Sequence, residues 1–290
     1  MSYPTRAGRF TEPHRPTVIG TAVACLIALT LTVVPLAAQT DFYNTDRNRP
    51  IQIEDAYPTE RYAFELQLAP VRLERRDGGL YNWGIEPEIT YGIFPRTHLE
   101  IGVPLAFVDG GLGVDEEFGL AGLDLSVLHN LNVETSGLPA FGLAADVVLP
   151  VGSLAPDNAY LSLRGIATRT YTWARFHLNG QYTFGSADGV GEGVNSVVEL
   201  SRWLAGVAVD RTFPLKSTLI TAELYVQDPL GPNTDLELNA AGGIRYQLSP
   251  QLAVDGGLGR RLTGDDRSWF VTFGAAYAFA IRGLIPVPRR

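Results

Sequence analysis

"YNWGIEPEITYGI", residues 81–93, sorts into two faces when every second residue is taken. Tyr81, Trp83, Ile85, Ile89, Tyr91 and Ile93 fall on one face, and Asn82, Gly84, Glu86, Glu88, Thr90 and Gly92 on the other. A period of two is the mark of a β-strand with one apolar and one polar side. The same beat returns at Leu99, Ile101, Val103, Leu105 and Phe107, and at Phe141, Leu143, Val147, Leu149 and Val151. It recurs at Phe176, Leu178, Tyr182 and Phe184, at Trp203, Val207 and Val209, and finally at Trp269, Val271, Phe273, Ala275, Tyr277 and Phe279.

Read this way, the chain predicts strands near 61–74, 81–94, 98–108, 118–131, 140–151, 159–169, 173–184, 198–211, 217–227, 235–248, 251–261 and 268–280. The first loses phase near Pro70, which predicts a bulge there. Every second connection is short and usually carries proline: "FPRT", "SGLP", "FPLK" and "LSPQ", with a tight turn near 169–172 as the exception. The others are longer and rich in glycine and acid, such as "DGGLGVDEE", "GSADGVGEG" and "DPLGPNTD". An even number of strands, with turns at one rim and loops at the other, is the plan of outer-membrane barrels.

Alternation does not say which face looks outward, but size does. Twelve tilted strands enclose a backbone cylinder on the order of 24 Å across, from strand spacing and tilt. One layer of side chains from each wall would not fill it. Apolar rows toward lipid and polar rows inward satisfy both solvents. The expected fold is therefore all-β, a 12-stranded antiparallel transmembrane β-barrel of the bacterial outer membrane.

The ends of the chain fit this location. Arg6, Arg9 and Arg15 precede the uncharged run Val18–Ala38, and Pro35 with Ala37 and Ala38 marks a cleavage site, so residues 1–38 read as a signal peptide. A retained membrane helix is the alternative reading of that run. Loss of residues 1–38 moves the formal net charge from −8 to −10 and removes Cys25, the single cysteine. Neither a disulfide framework nor nucleic-acid binding is expected of what remains. Residues 39–60, "QTDFYNTDRNRPIQIEDAYPTE", have no clear period and form a periplasmic arm or a lumen plug; Arg47 and Arg49 favour the plug. The barrel spans 61–280, and 281–290 make a periplasmic tail kept from the sheet by Pro286 and Pro288.

The phase places Glu65, Glu86, Glu88, Glu100, Asp124, Asp146, Asp210, Glu223, Glu237 and Asp255 toward the lumen, with Arg164, Arg175, Arg202, Arg245 and His177. Acids outnumber arginines, so complete pairing within the wall is impossible. Such a lining either forms an aqueous route that disfavours anions or a network that holds the barrel shut. Tyr81, Trp83, Phe107, Tyr182, Trp203 and Trp269 would form the aromatic belt near the loops. Tyr62, Tyr91, Phe141, Tyr246, Tyr277 and Phe279 would form the belt near the turns. Thr272, Gly274, Tyr277 and Phe279 match a closing-strand signal for the barrel assembly machinery, although eleven residues follow Phe279.

The phrases "ADVVLPVGS" (145–153), "RFHLNGQYTF" (175–184), "RWLAGVAVDRTFPLKS" (202–217) and "VDGGLGRRLTGDDRSWFVTFGAAYAF" (254–279) resemble the outer-membrane transporters associated with the MetA pathway of phenol degradation. The resemblance covers about residues 50–280. It implies a barrel that moves small, aromatic or hydrophobic compounds, and it supplies no site residues.

Other functions find weaker support. A lipid hydrolase would need a nucleophile beside His98, His129 or His177, and the strand phase sets Ser126 and His129 on opposite faces. Asp115, Glu116 and Glu117, with Asp265 and Asp266, are more simply solvated loop acids than metal ligands. No cofactor and no metal are expected. The expected partners are outer-membrane lipid and lipopolysaccharide, the assembly machinery and a small-molecule solute. The expected function is passive solute passage; a closed structural or surface-interaction barrel is the alternative.

Overall fold

The computed structural model describes residues 43–75, 79–109, 116–187, 200–231, 234–263, 267–281 and 284. The expected leader at 1–38, residues 39–42, the loop acids Asp115, Asp265 and Asp266, and the prolines of the tail lie outside the described residues.

Fourteen strands form one sheet: β1 (Ala63–Arg75), β2 (Tyr81–Phe94), β3 (Thr97–Gly102), β4 (Leu105–Val108), β5 (Glu117–Leu120), β6 (Leu123–Asn130), β7 (Ala140–Leu149), β8 (Tyr160–Thr170), β9 (Arg175–Phe184), β10 (Ser201–Thr212), β11 (Thr218–Pro229), β12 (Glu237–Ser249), β13 (Leu252–Arg261) and β14 (Trp269–Ala280). Every pairing is antiparallel, and β1 pairs with both β2 and β14, so the sheet closes on itself. Within the ring β3 and β4 are two halves of one wall crossing, as are β5 and β6, because both halves of the first pair against β2. The barrel therefore has twelve crossings.

The two split crossings are a difference from the continuous strands that the apolar pattern predicts over 98–108 and 118–131. Proline has no amide hydrogen to give to a ladder. Pro104 interrupts the third crossing, and its carbonyl accepts from the amide of Ala121 at 2.9 Å. Gly122, at φ 143°, turns the next crossing at the same height. Pro87 accepts from the amide of Val103 at 3.0 Å, and the β1 register shifts between Gln67 and Val71, where a bulge is expected. Four adjacent crossings thus share one row of backbone irregularities.

The two faces differ as strongly as their sequences. Leu143, Val207 and Phe273 on the outer face are 54%, 50% and 58% exposed, whereas Asp146, Arg164 and Thr168 on the inner face are 2%, 4% and 0% exposed. Apolar side chains outside and buried charges inside suit a wall bathed in hydrocarbon.

Residues 43–60 account for the burial of the inner face. They add no strand to the wall, yet they bond to side chains of β6, β8, β11, β13 and β14. A segment that touches strands all around a closed cylinder lies inside it. Its apolar residues are gathered: Ile51 and Ile53 pack on Leu204, Ala208 and Tyr225, while Ala56 packs on Leu128, Ala140, Ala144 and Ile166. Each buried isoleucine contributes roughly 2 kcal/mol.

The wall makes room for this segment with glycine. A Cβ at Gly243 would stand 2.5 Å from Pro50 Cγ, and one at Gly257 would stand 2.5 Å from the Pro50 carbonyl oxygen. The run "AAGGIRY" in β12 and "DGGLG" in β13 therefore leave a groove for residues 49–51. Gly243→Val should push Pro50 off the wall. The expected result is faster amide exchange over residues 49–56 with the barrel's own β-sheet circular dichroism unchanged; unchanged exchange would show that the groove is not required.

Candidate functional site in the barrel interior

The interior is built from the inward residue of every second position, so adjacent walls contribute charges at neighbouring heights. Three clusters result, each completed by the segment. In the first, Arg47 reaches Asp124 at 2.8 Å and Asp146 at 3.8 Å, and Ser126 donates to Asp146 at 2.8 Å. Arg164 joins this group, 3.3 Å from Asp146 and 2.8 Å from Glu54 of the segment. In the second, Arg49, with no exposed surface, lies 2.8 Å from Asp255, 3.6 Å from Asp46 and 3.8 Å from Glu65. Arg245 closes that group, 3.1 Å from Asp46 and 3.5 Å from Asp255, and it donates to the Arg49 carbonyl at 2.8 Å.

The third cluster is a relay. Arg175 holds Asp210 at 2.8 Å, and Asp210 receives the Nε2 side of His177 at 2.9 Å. With that proton placed on Nε2, Nδ1 accepts from the Thr168 hydroxyl at 3.1 Å, and Thr168 Oγ1 accepts the segment's Ala56 amide at 3.0 Å. The constellation of carboxylate, imidazole and hydroxyl resembles a hydrolytic triad in composition only. Thr168 is fully buried beneath Ala56 and already bonded on both sides. His129, another of the three histidines considered for hydrolysis, bonds to Thr97 at 2.8 Å, while Ser126 turns to Asp146.

Backbone groups of the segment are satisfied by the wall as buried polar groups must be. Ile53 donates to Glu223 at 2.8 Å, Glu54 donates to Asn179 at 2.9 Å and accepts from it at 2.8 Å, and the Pro50 carbonyl accepts from Thr272 at 2.9 Å. His98 accepts from the Thr59 amide at 3.1 Å, and Asn130 donates to the Ala56 carbonyl at 2.9 Å. Thr168, Asn179, Asn130 and His98 are anchors that the strand phase alone does not single out, because neutral polar residues look alike wherever they face inward. Thr168 and His177 face each other across β8 and β9 because the turn lies at 171–174, slightly later than the 169–172 that the sequence predicts.

The remaining sequence candidates divide. Glu237 pairs with Arg261 at 3.0 Å and accepts from Gln227. Glu86 and Glu88, 5% and 6% exposed, line β2 with no hydrogen bond or ion pair to a described residue, and Glu100 accepts from Thr90 at 3.1 Å. Arg202 sits where the β10 register shifts and donates to the wall carbonyl of Thr183 at 2.9 Å, so its guanidinium serves the backbone rather than an interior acid.

Among the belt candidates, Trp83 stacks on Phe107 at 5.7 Å, and Trp203 stands opposite Tyr182. Tyr81, Tyr246 and Trp269 are exposed on the outer face. Phe64 bridges Tyr91 at 4.4 Å and Phe279 at 5.3 Å, and Tyr277 stacks beside Phe279. Of the closing-strand residues, Gly274 lies opposite Asp255 and Thr272 faces inward to the segment.

The segment divides the interior. On its loop side a cavity of about 20 Å³ remains among Asn48, Gln52, Arg72, Glu86, Tyr225 and Phe270, room for about one water. Arg72 lies 3.8 Å over the Phe270 ring in this cavity. Nearer the loops Val148, Tyr160, Leu200 and Leu230 form an inward apolar cluster, and Ala106, Ala121 and Leu154 form a second. On the turn side a vestibule of about 720 Å³ opens among Tyr43, Tyr57, Glu60, Trp173 and Arg175. Groups of the segment, which crosses no bilayer itself, are shifted by their setting, and burial raises the Glu54 carboxyl most among its acids, to about 8 against the pull of Arg164. Burial, opposed by Arg175, holds the Asp55 carboxyl up at about 6, and burial beside Glu134 pushes the Tyr57 hydroxyl up to about 12.

A closed twelve-crossing barrel with an apolar exterior and a charged interior has the porin-like fold of an outer-membrane β-barrel. Residues 83–279 match the sequence profile of the family described as "Putative MetA-pathway of phenol degradation", and the chain belongs to that family. Among solved structures, it is similar to the COG4313 outer membrane channel from Pseudomonas putida F1, with 13% identity and a TM-score of 0.50 over 75% of this chain and 94% of that one. It is also similar to the KdgM porin, with 15% identity and a TM-score of 0.49 over 74% of this chain and 99% of that one. The NanC porin gives 9% identity and a TM-score of 0.46 over 73% and 98%. No curated protein sequence matches. The fold places the protein in the outer membrane.

Proposed function

We propose that the protein is a plugged passive channel, in which small solutes cross the barrel when residues 43–60 shift from their seat. The observation that carries this reading is the manner of attachment. The segment fills the interior through ion pairs, hydrogen bonds and two small apolar contacts, and it lends no strand to the wall. It can leave without opening the barrel. The wall acids then face water and favour neutral or cationic solutes over anions. The apolar clusters toward the loops and the family description support aromatic or hydrophobic compounds as cargo, without catalysis.

A disulfide lock tests this directly. A Cβ at Gly142 would lie 3.5 Å from the Ala56 Cβ, within the range a disulfide requires. In Ala56→Cys/Gly142→Cys, oxidation should abolish solute uptake by proteoliposomes and reduction should restore it. Uptake that persists in the oxidised protein would show that solutes do not pass the segment. Silence in both states and in the unmodified protein would favour a closed structural barrel.

A further inference from the structure

Most arginines that face the interior have a carboxylate: Arg49, Arg164, Arg175, Arg245 and Arg261 are each paired with one. Three arginines at the loop rim differ. Arg75 and Arg260 occupy outward positions on β1 and β13, both opposite Trp269 of β14, and Arg267 precedes that strand. All three are exposed, and no described carboxylate pairs with them. The row across the outer wall reads Ala240, Arg260, Trp269, Arg75, Tyr81, and Arg75 lies 5.9 Å from the Tyr81 ring centroid.

Beneath this row the wall is hollowed on its lipid side. Ala240 and Gly242 present almost no side chain, and Leu258, opposite Gly242, is 61% exposed. At the row itself, and reaching down to Leu258, lies an open depression of about 680 Å³ bordered by Ala240, Leu258, Arg260, Arg267 and Trp269. An apolar trough headed by guanidinium groups that no described carboxylate pairs suits one kind of molecule, an anionic lipid with its chains toward the membrane centre. The longer connections lie at this rim, which sets it in the outer leaflet.

We propose that the outer wall of β12, β13, β14 and β1 at the loop rim is a binding site for a phosphorylated glycolipid of the outer leaflet. Arg260 with Arg267 holds one phosphate, and Arg75 holds a second. Arg260 and Arg75 stand two strand spacings apart, about 10 Å between their backbones. Guanidinium forks match phosphate oxygens two at a time, which a snorkelling arginine in plain water does not exploit. An acyl chain fills the trough over Gly242 and Leu258, and Trp269 packs between the two head-group contacts.

The test uses the full-length protein in neutral detergent, with lipid A as probe and native mass spectrometry as readout. Wild-type protein should retain lipid A, and Arg260→Gln/Arg267→Gln should bind it at least about tenfold more weakly, the effect of losing even one of the two charge-assisted contacts. Arg211→Gln, at an exposed outward position near the opposite rim, should bind as wild type does. Chemically dephosphorylated lipid A should bind wild type and the double variant equally and weakly. The proposal is overturned if the double variant retains lipid A like wild type. It is equally overturned if wild type holds the dephosphorylated lipid as tightly as the phosphorylated one, an arm that needs no variant.

Discussion

Deleting residues 43–58 should raise single-channel conductance in planar bilayers by about an order of magnitude, because conduction is set by the narrowest part of the path. Among the described residues the segment fills the middle of the interior, leaving a cavity of about 20 Å³ on its loop side. The deletion also exposes the wall charges. Asp46, Glu54 and Asp55 leave together with Arg47 and Arg49, so the interior's acid excess is nearly unchanged. Asp124, Asp146, Asp255, Glu86, Glu88 and Glu223 then face water, and the reversal potential in a salt gradient should move toward the cation limit. Conductance equal to wild type from correctly folded protein would show that the barrier lies elsewhere, with the apolar clusters near the loops as the next place to look.

Arg49→Ala should have the largest effect of any single substitution on the seating of the segment. Removing one partner of a buried ion pair leaves the other charge uncompensated, at a cost of about 3–5 kcal/mol. Arg49 is wholly buried among Asp46, Glu65 and Asp255, and Arg245 alone would remain to face those acids. The loss falls on the segment rather than the wall, whose ladders do not involve Arg49. Hydrogen exchange at the Ile53 and Ala56 amides, bonded to Glu223 and Thr168, should therefore accelerate by two orders of magnitude or more, roughly the equilibrium factor for that cost. Exchange in β7 and β8 should stay slow. Protection of Ile53 and Ala56 equal to wild type would show that the other two clusters suffice.

The walls were legible in the sequence because each strand declares its own two faces. Residues 81–93 do so without reference to any other part of the chain. Closure, the number of crossings and the bulge near Pro70 follow from repeating that reading. The breaks at Pro104 and Gly122 were present as residue types but hidden by the apolar run from Leu99 to Phe107, which keeps its phase across the interruption. The interior was legible only by half. Charge counting showed that the wall lacked cations and that Arg47 and Arg49 stood nearby. It did not show that Glu54 and Asp55 meet Arg164 and Arg175, since a segment without period carries no register. Nor does any pattern announce that a main-chain amide will find Asn179 or Thr168. Such contacts depend on where two remote stretches come to rest.

One group of contacts between the segment and the barrel straddles the line where the sheet closes. Arg49 touches Glu65 at the start of the sheet and Asp255 one strand short of its end, while Pro50 accepts from Thr272 on the final strand. These are the crossings that come together only when the cylinder is joined. Full seating of the segment therefore waits on completion of the ring: until the last hairpin docks against β1, Arg49 and Pro50 have only part of their seat.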